Sequence, residues 1–157
     1  MNINKFTQNS LQAVQSCEKI AVDFGNQEIA QEHLLYALVT QDDSLILKLL
    51  EKMGIQDTLF VNRVEQQINK RPKVQGGQIY IGQDLNNVLI HAEDEAKQMT
   101  DEYVSVEHIF LALIKYASKD MKELLKEFGI DRNGFLQALS TVRGNTKGYK
   151  DARRRYE

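Results

Sequence analysis

Apolar residues recur along this chain at steps of three and four, the spacing of one face of an α-helix. Between Thr7 and Phe24 they are Leu11, Val14, Cys17, Ala21 and Phe24, which predicts a first helix. Gly25 and Asn26 break the series, a short extended stretch falls around Ile29, and a second helix is predicted from near Gln31 with Leu34, Leu35 and Leu38 inward. A third carries Ile46, Leu49, Leu50 and Met53 and is closed by Gly54. A fourth runs from about Asp57 to Lys70 on Phe60, Val61, Val64 and Ile68.

The same pattern then returns 75 positions later without a gap. Glu32 and His33 recur as Glu107 and His108, Ala37 and Leu38 as Ala112 and Leu113, Leu49 and Leu50 as Leu124 and Leu125, and Gly54, Ile55 and Phe60 as Gly129, Ile130 and Phe135. Unlike pairs keep their character: Val14 matches Leu89, Cys17 matches Ala92 and Met53 matches Phe128. Duplication of a unit whose helices each need a covered face predicts an all-α fold of eight helices, two pseudo-two-fold-related four-helix repeats. Repeat one is expected over residues 6–70 and repeat two over 82–143, with Ser105 placed to cap the second helix of the later copy. Between them RPKVQGGQIYIG holds the single proline, Pro72, and the pair Gly76 and Gly77, so residues 71–81 read as an exposed connector. The periodicity stops after Val142, and the polar, basic residues 145–157 read as a linker or tail.

Composition narrows the function classes. A chain of 157 residues, 42% hydrophobic, can build one core without disulfides or metals. Lysine and arginine number 20 against 22 acids, a net charge of -2 with no field to draw nucleic acid or an acidic membrane. The Arg153, Arg154, Arg155 run is read as a solvated linker. The single cysteine, Cys17, lies on an apolar stripe, which suits a small buried side chain in a reducing compartment and predicts a cytoplasmic address. No run of about 18 apolar residues occurs, and the opening MNINKFTQNS lacks the apolar centre of a secretory signal.

No G-x-x-x-x-G-K-[ST] loop is present to cradle phosphates, so no catalytic residue and no cofactor is assigned within these residues. The pairs Glu32-His33 and Glu107-His108 invite a metal reading, but a helical zinc site needs ligands about four residues apart, and positions 37 and 112 are both alanine. No metal site is expected. Glu32 and Glu107 instead fall in the first turn of a helix, where a carboxylate meets the positive dipole end and contributes about 0.3–1 kcal/mol.

Both copies resemble the Clp amino-terminal repeat, in the stretches QEIAQEHLLYALV and EAKQMTDEYVSVEHIFLALI, over residues 1 to about 144. The connector RPKV with its glycines, DEYVSVEHIFLAL and the exit VRGN look most like the ClpB-type disaggregase branch, with the ClpC-type unfoldases next. The resemblance implies the N-terminal substrate-binding domain of a larger ATP-driven ring, whose ATP and magnesium belong to other modules. Implied partners are unfolded or aggregated proteins, the other modules of a hexamer, and a co-chaperone acting on the parent. Neither nucleic acid nor membrane is among them, and the isolated domain is expected to be a monomer. The family pattern places a client groove between the repeats, with polar rim roles at Thr7, Asp101 and Glu107. Near the helix starts where the copies should meet, Leu11, Leu85, Leu89 and Ile109 are candidates for its apolar floor. In ClpC-like relatives a threonine and a glutamate of each repeat read phosphoarginine. Here these map to Thr7 with Glu32 and to Gly82 with Glu107, so only the first pair is intact as an alternative site.

Overall fold

In the computed structural model, which describes residues 2–143, a short 3-10 turn at Ile3–Lys5 leads into two copies of one helical unit. The first is α1 (Gln8–Asp23), β1 (Glu28–Ile29), α2 (Gln31–Thr40), α3 (Leu45–Lys52) and α4 (Asp57–Asn69). The second is β2 (Tyr80–Ile81), α5 (Gln83–Gln98), α6 (Val106–Lys115), α7 (Lys119–Glu127) and α8 (Arg132–Arg143). Helices α5 and α6 begin and end 75 residues after α1 and α2, so the eight predicted helices are present at the predicted spacing. The expected linker at 145–157, with Arg153, Arg154 and Arg155, lies outside the described residues.

Local chemistry sets the boundaries. Thr7 caps α1 by accepting the Ser10 N–H on its side-chain oxygen, and the turns after α3 and α7 use Gly54 (φ 84°) and Gly129 (φ 67°) in the left-handed region. After α1 that position is Gly25 (φ 78°), but after α5 it is Thr100 (φ 56°), a β-branched residue in a backbone suited to glycine.

Of the predicted inward residues of α2, α3 and α4, Leu34, Leu35, Leu38, Ile46, Leu49, Leu50, Phe60, Val64 and Ile68 are fully buried, whereas Met53 and Val61 are only partly covered at the edge of the core. Helix α1 departs from expectation. Its buried face is Ser10, Ala13, Cys17 and Ala21, while Leu11, Val14 and Phe24 are only partly covered. Small residues let α1 approach α2 closely, while Val14 is left to line a cavity with Leu85 and Leu89 of α5, and Phe24 meets the Tyr36 ring of α2 edge to face at 5.6 Å.

The repeats interlock rather than abut. Helix α3 packs on α8 and α6, α2 on α5 and α6, and α4 on α7, where the Phe60 and Phe128 rings meet edge to face at 5.0 Å. Gln31, itself 1% exposed, donates to the carbonyls of Asp84 and Tyr116 at 2.9 and 2.8 Å and accepts the Ser118 N–H at 2.9 Å. Every hydrogen-bonding group of that amide is thus spent on repeat two apart from one acceptor lone pair. The connector is exposed and non-helical as expected, and its end forms β2, which pairs in parallel with β1 in the register Glu28 to Tyr80 and Ile29 to Ile81.

Candidate functional site

The paired strands and the helix starts beside them build the junction. Tyr80 N–H donates to the Gln27 carbonyl at 3.1 Å and Gly82 N–H to that of Ile29 at 2.9 Å. The duplication repeats this with the copies exchanged: Phe6 bridges Val104, whose carbonyl accepts the Thr7 N–H at 3.0 Å and the Ser10 hydroxyl at 2.8 Å. Each copy's first helix therefore begins beside the other copy's second helix. Thr7 lies against the segment leading into α6 and Glu107, and Gly82 against the segment leading into α2 and Glu32.

This exchange corrects the pairing of Thr7 with Glu32. Glu32 lines a cavity of about 310 Å³ with Glu28, Arg71, Asp84, Ser118 and Asp120, and Thr7 is not among its walls. Its Oε2 accepts from Arg71 Nη1 at 3.1 Å, and the other arm of that guanidinium pairs with Glu28 at 3.1 Å. Burial pushes the Glu32 carboxyl up, with Arg71 and a backbone N–H opposing it. A Cβ on Gly82 would fall 2.2 Å from Glu28 Oε2, so the carboxylate fills the space a side chain would need. Arg71, the residue before the only proline, was the partner that sequence reasoning missed.

The two histidines are part of the helix starts. His33 Nδ1 accepts the Ala30 N–H at 2.9 Å and its Nε2 meets Asn26 Oδ1 at 2.9 Å. His108 Nδ1 accepts the Ser105 N–H at 2.8 Å and its Nε2 meets Asp101 Oδ2 at 2.7 Å. Accepting at Nδ1 assigns the ring proton to Nε2 in both. The ring thus closes the cap that was expected from the Ser105 hydroxyl, which has no hydrogen-bond partner among the described residues. Burial, with Arg71 nearby, pushes His33 down to about 4. Among the described residues no group of three or more potential ligands is arranged to hold a metal ion. Burial likewise pushes the Cys17 thiol up to about 12.

Thr7, Asp101 and Glu107 do converge at the starts of α1 and α6, but they are 0%, 8% and 0% exposed, so the expected polar rim is not an exposed edge. Asp101 accepts from Arg143 Nη2 at 2.5 Å as well as from His108. Burial works against its ionisation, but these hydrogen bonds and the charges behind them hold its carboxyl below the usual range.

The apolar candidates separate. Ile109 is 0% exposed and belongs to the core, because the first turn of α6 is enclosed on all sides. Leu11 is partly buried against the core and is not among the residues lining the junction cavity. Leu85 and Leu89 are core residues too, 2% and 4% exposed, but they also line a cavity of about 440 Å³ with Val14, Cys17, Ile29, Ile79 and the strand residues Tyr80 and Ile81. Tyr80 and Ile81 are 52% and 57% exposed, bulky apolar residues in the open. The sequence signal for them is the run IYI closing a glycine-rich connector, overshadowed by the glycines and proline before it.

The duplicated, exchanged helix unit has a counterpart among known families: the profile described as the Clp repeat (R) N-terminal domain matches residues 5–128. The chain belongs to the Clp repeat family. Chaperone protein ClpB of Nitratidesulfovibrio vulgaris is 44% identical over 153 residues, covering 94% of this chain. This Clp repeat chain spans 18% of that relative's length. Among solved structures, the Hsp104 N-terminal domain from Candida albicans superposes with a TM-score of 0.80 at 23% identity, covering 98% of this chain and 99% of that one. A ClpV N-domain solved in complex with a VipB peptide gives a TM-score of 0.67 at 20% identity, covering 88% and 86%. These two likenesses show that the Clp repeat fold is shared. No described helix is long and apolar enough to cross a membrane.

Proposed function

We propose that this chain is the N-terminal client-binding domain of a ClpB-type, ATP-dependent ring chaperone of the cytoplasm, capturing unfolded or aggregated polypeptide for threading by other modules. The observation that carries the reading is the cavity of about 440 Å³ at the repeat junction, floored by Leu85 and Leu89 and bordered by exposed Tyr80 and Ile81. Unfolded segments present apolar side chains that such a floor can cover. Support comes from the ClpB relative and from the peptide bound by the ClpV N-domain. On this reading Thr7, Asp101 and Glu107 form a polar group at the same junction, met by a client that enters beyond its surface. The chemistry of ATP and magnesium lies in other modules, and no residue here is assigned a catalytic part.

The adaptor- or phosphoarginine-binding alternative has less support at Glu32, whose carboxylate is engaged by Arg71 in a cavity that Thr7 does not line. The test is titration of the isotope-labelled chain with a chemically unfolded protein, followed by NMR. Shifts are expected at Val14, Leu85, Leu89 and Ile81. A spectrum unperturbed at about millimolar client, far above a weak working affinity, refutes the proposal.

A further inference from the structure

The two strand pairings are equivalent by the duplication, yet one is covered and the other is bare. Phe6, which bridges Val104, is 5% exposed, whereas Ile81, 75 residues later and paired with Ile29, is 57% exposed. The ladder fixes which way the backbone of β2 points. Tyr80 and Gly82 direct their N–H groups to β1, so the intervening Ile81 turns its own N–H and C=O to the opposite, outer edge. That edge borders the junction cavity, with Ile79, Tyr80 and Ile81 all among its walls. Glu18 is the one ionisable carboxylate in the same lining.

We propose that an extended, β-branched polypeptide segment docks by adding as a strand to the outer edge of β2, hydrogen-bonding to Ile81 and placing alternate side chains in the Leu85–Leu89 cavity. The proposal rests on the client-binding reading and specifies its mode. An edge residue offering one donor and one acceptor recognises backbone, which every client has, while the cavity selects only for apolar character at alternate positions. Beside Glu18, a basic residue between the apolar ones is favoured over an acidic one. Continuing the β1–β2 ladder is what favours an extended occupant over a helical one, whose backbone groups are already satisfied.

The test uses a short valine–lysine alternating peptide, a version N-methylated at alternate residues, and a leucine–lysine helical peptide of equal charge. Binding of the first peptide is expected to slow hydrogen exchange at the Ile81 N–H and shift Ile79, Leu85 and Leu89. N-methylation on the edge-facing residues is expected to weaken binding about tenfold or more while leaving the side chains unchanged. Ile81→Pro, which deletes an N–H the ladder does not use, is expected to match that loss, with circular dichroism checking the fold. Ile81→Ala keeps the N–H and is expected to retain the sensitivity to N-methylation. Equal affinity for the methylated peptide, preference for the helical one, or Ile81 protection that grows with protein concentration alone overturns strand addition. An unfolded protein that shifts Leu85 and Leu89 while Ile81 exchange stays unchanged overturns strand addition but spares client binding. Failure of every probe overturns both.

Discussion

Acidification should weaken this fold through one ring, because His33 is locked as the neutral Nε2–H tautomer. Protonating Nδ1 would set two N–H donors against each other at the Ala30 cap, and burial beside Arg71 already holds the folded pKa at about 4 against an ordinary 6.5. Between those values the unfolded chain binds the extra proton, so the stabilisation present above about pH 6.5 is lost as pH falls toward 4. The linkage relation gives a loss of about 2–3 kcal/mol between about pH 7.5 and pH 4.5. Glu32 works the other way, since its raised pKa favours the folded state on protonation, so the bare pH profile mixes opposing effects. The difference between wild type and His33→Gln removes that contribution. Urea denaturation of both at four pH values should show the variant less stable near neutrality and the gap narrowing by about 2–3 kcal/mol by pH 4.5. A gap that stays constant with pH refutes the tautomer assignment and the cap built on it. Nitrogen chemical shifts of the ring provide an independent check, with Nε2 expected to carry the proton throughout.

Three further outcomes are expected. Leu38→Ala and Leu113→Ala, at equivalent fully buried sites, should each cost about 2–5 kcal/mol in chemical denaturation, and a near-neutral result would mean the repeat cores are drawn wrongly. Asp101→Asn should cost about 3–5 kcal/mol, because it strips the counter-charge from the buried Arg143 and one acceptor from His108, and a thermal midpoint within about a degree of wild type would contradict this. Thr100→Gly should stabilise by about 0.5–1 kcal/mol, the relief of a left-handed β-branched residue less the greater freedom of glycine in the unfolded chain, and destabilisation would show that the strain is absent.

Periodicity and repetition were enough to place the helices, because each needs a covered face and the chain spells those faces twice. Leu34, Leu38, Leu49 and Phe60 point inward for reasons legible within a single turn. The helix faces at the junction were not legible in that way. Leu11 and Val14 look like core by spacing, but which side of α1 is inward depends on how closely Ala13, Cys17 and Ala21 let it approach α2. Glu32 and Glu107 were correctly read as first-turn carboxylates, but their neighbours were hidden, since Arg71 arrives from 39 residues away.

The sequence by itself determined the duplicated all-α unit, its helix spacing and its family, since each follows from local spacing, turn chemistry and motifs that survive without knowledge of what touches what. Only the tertiary structure decided that the copies exchange helix starts, that Thr7 therefore meets the α6 side rather than Glu32, and that Ile81 is bare where Phe6 is covered. Those facts depend on pairings between residues about 50 to 100 positions apart, and long-range contact leaves no imprint on the spacing of neighbours along the chain.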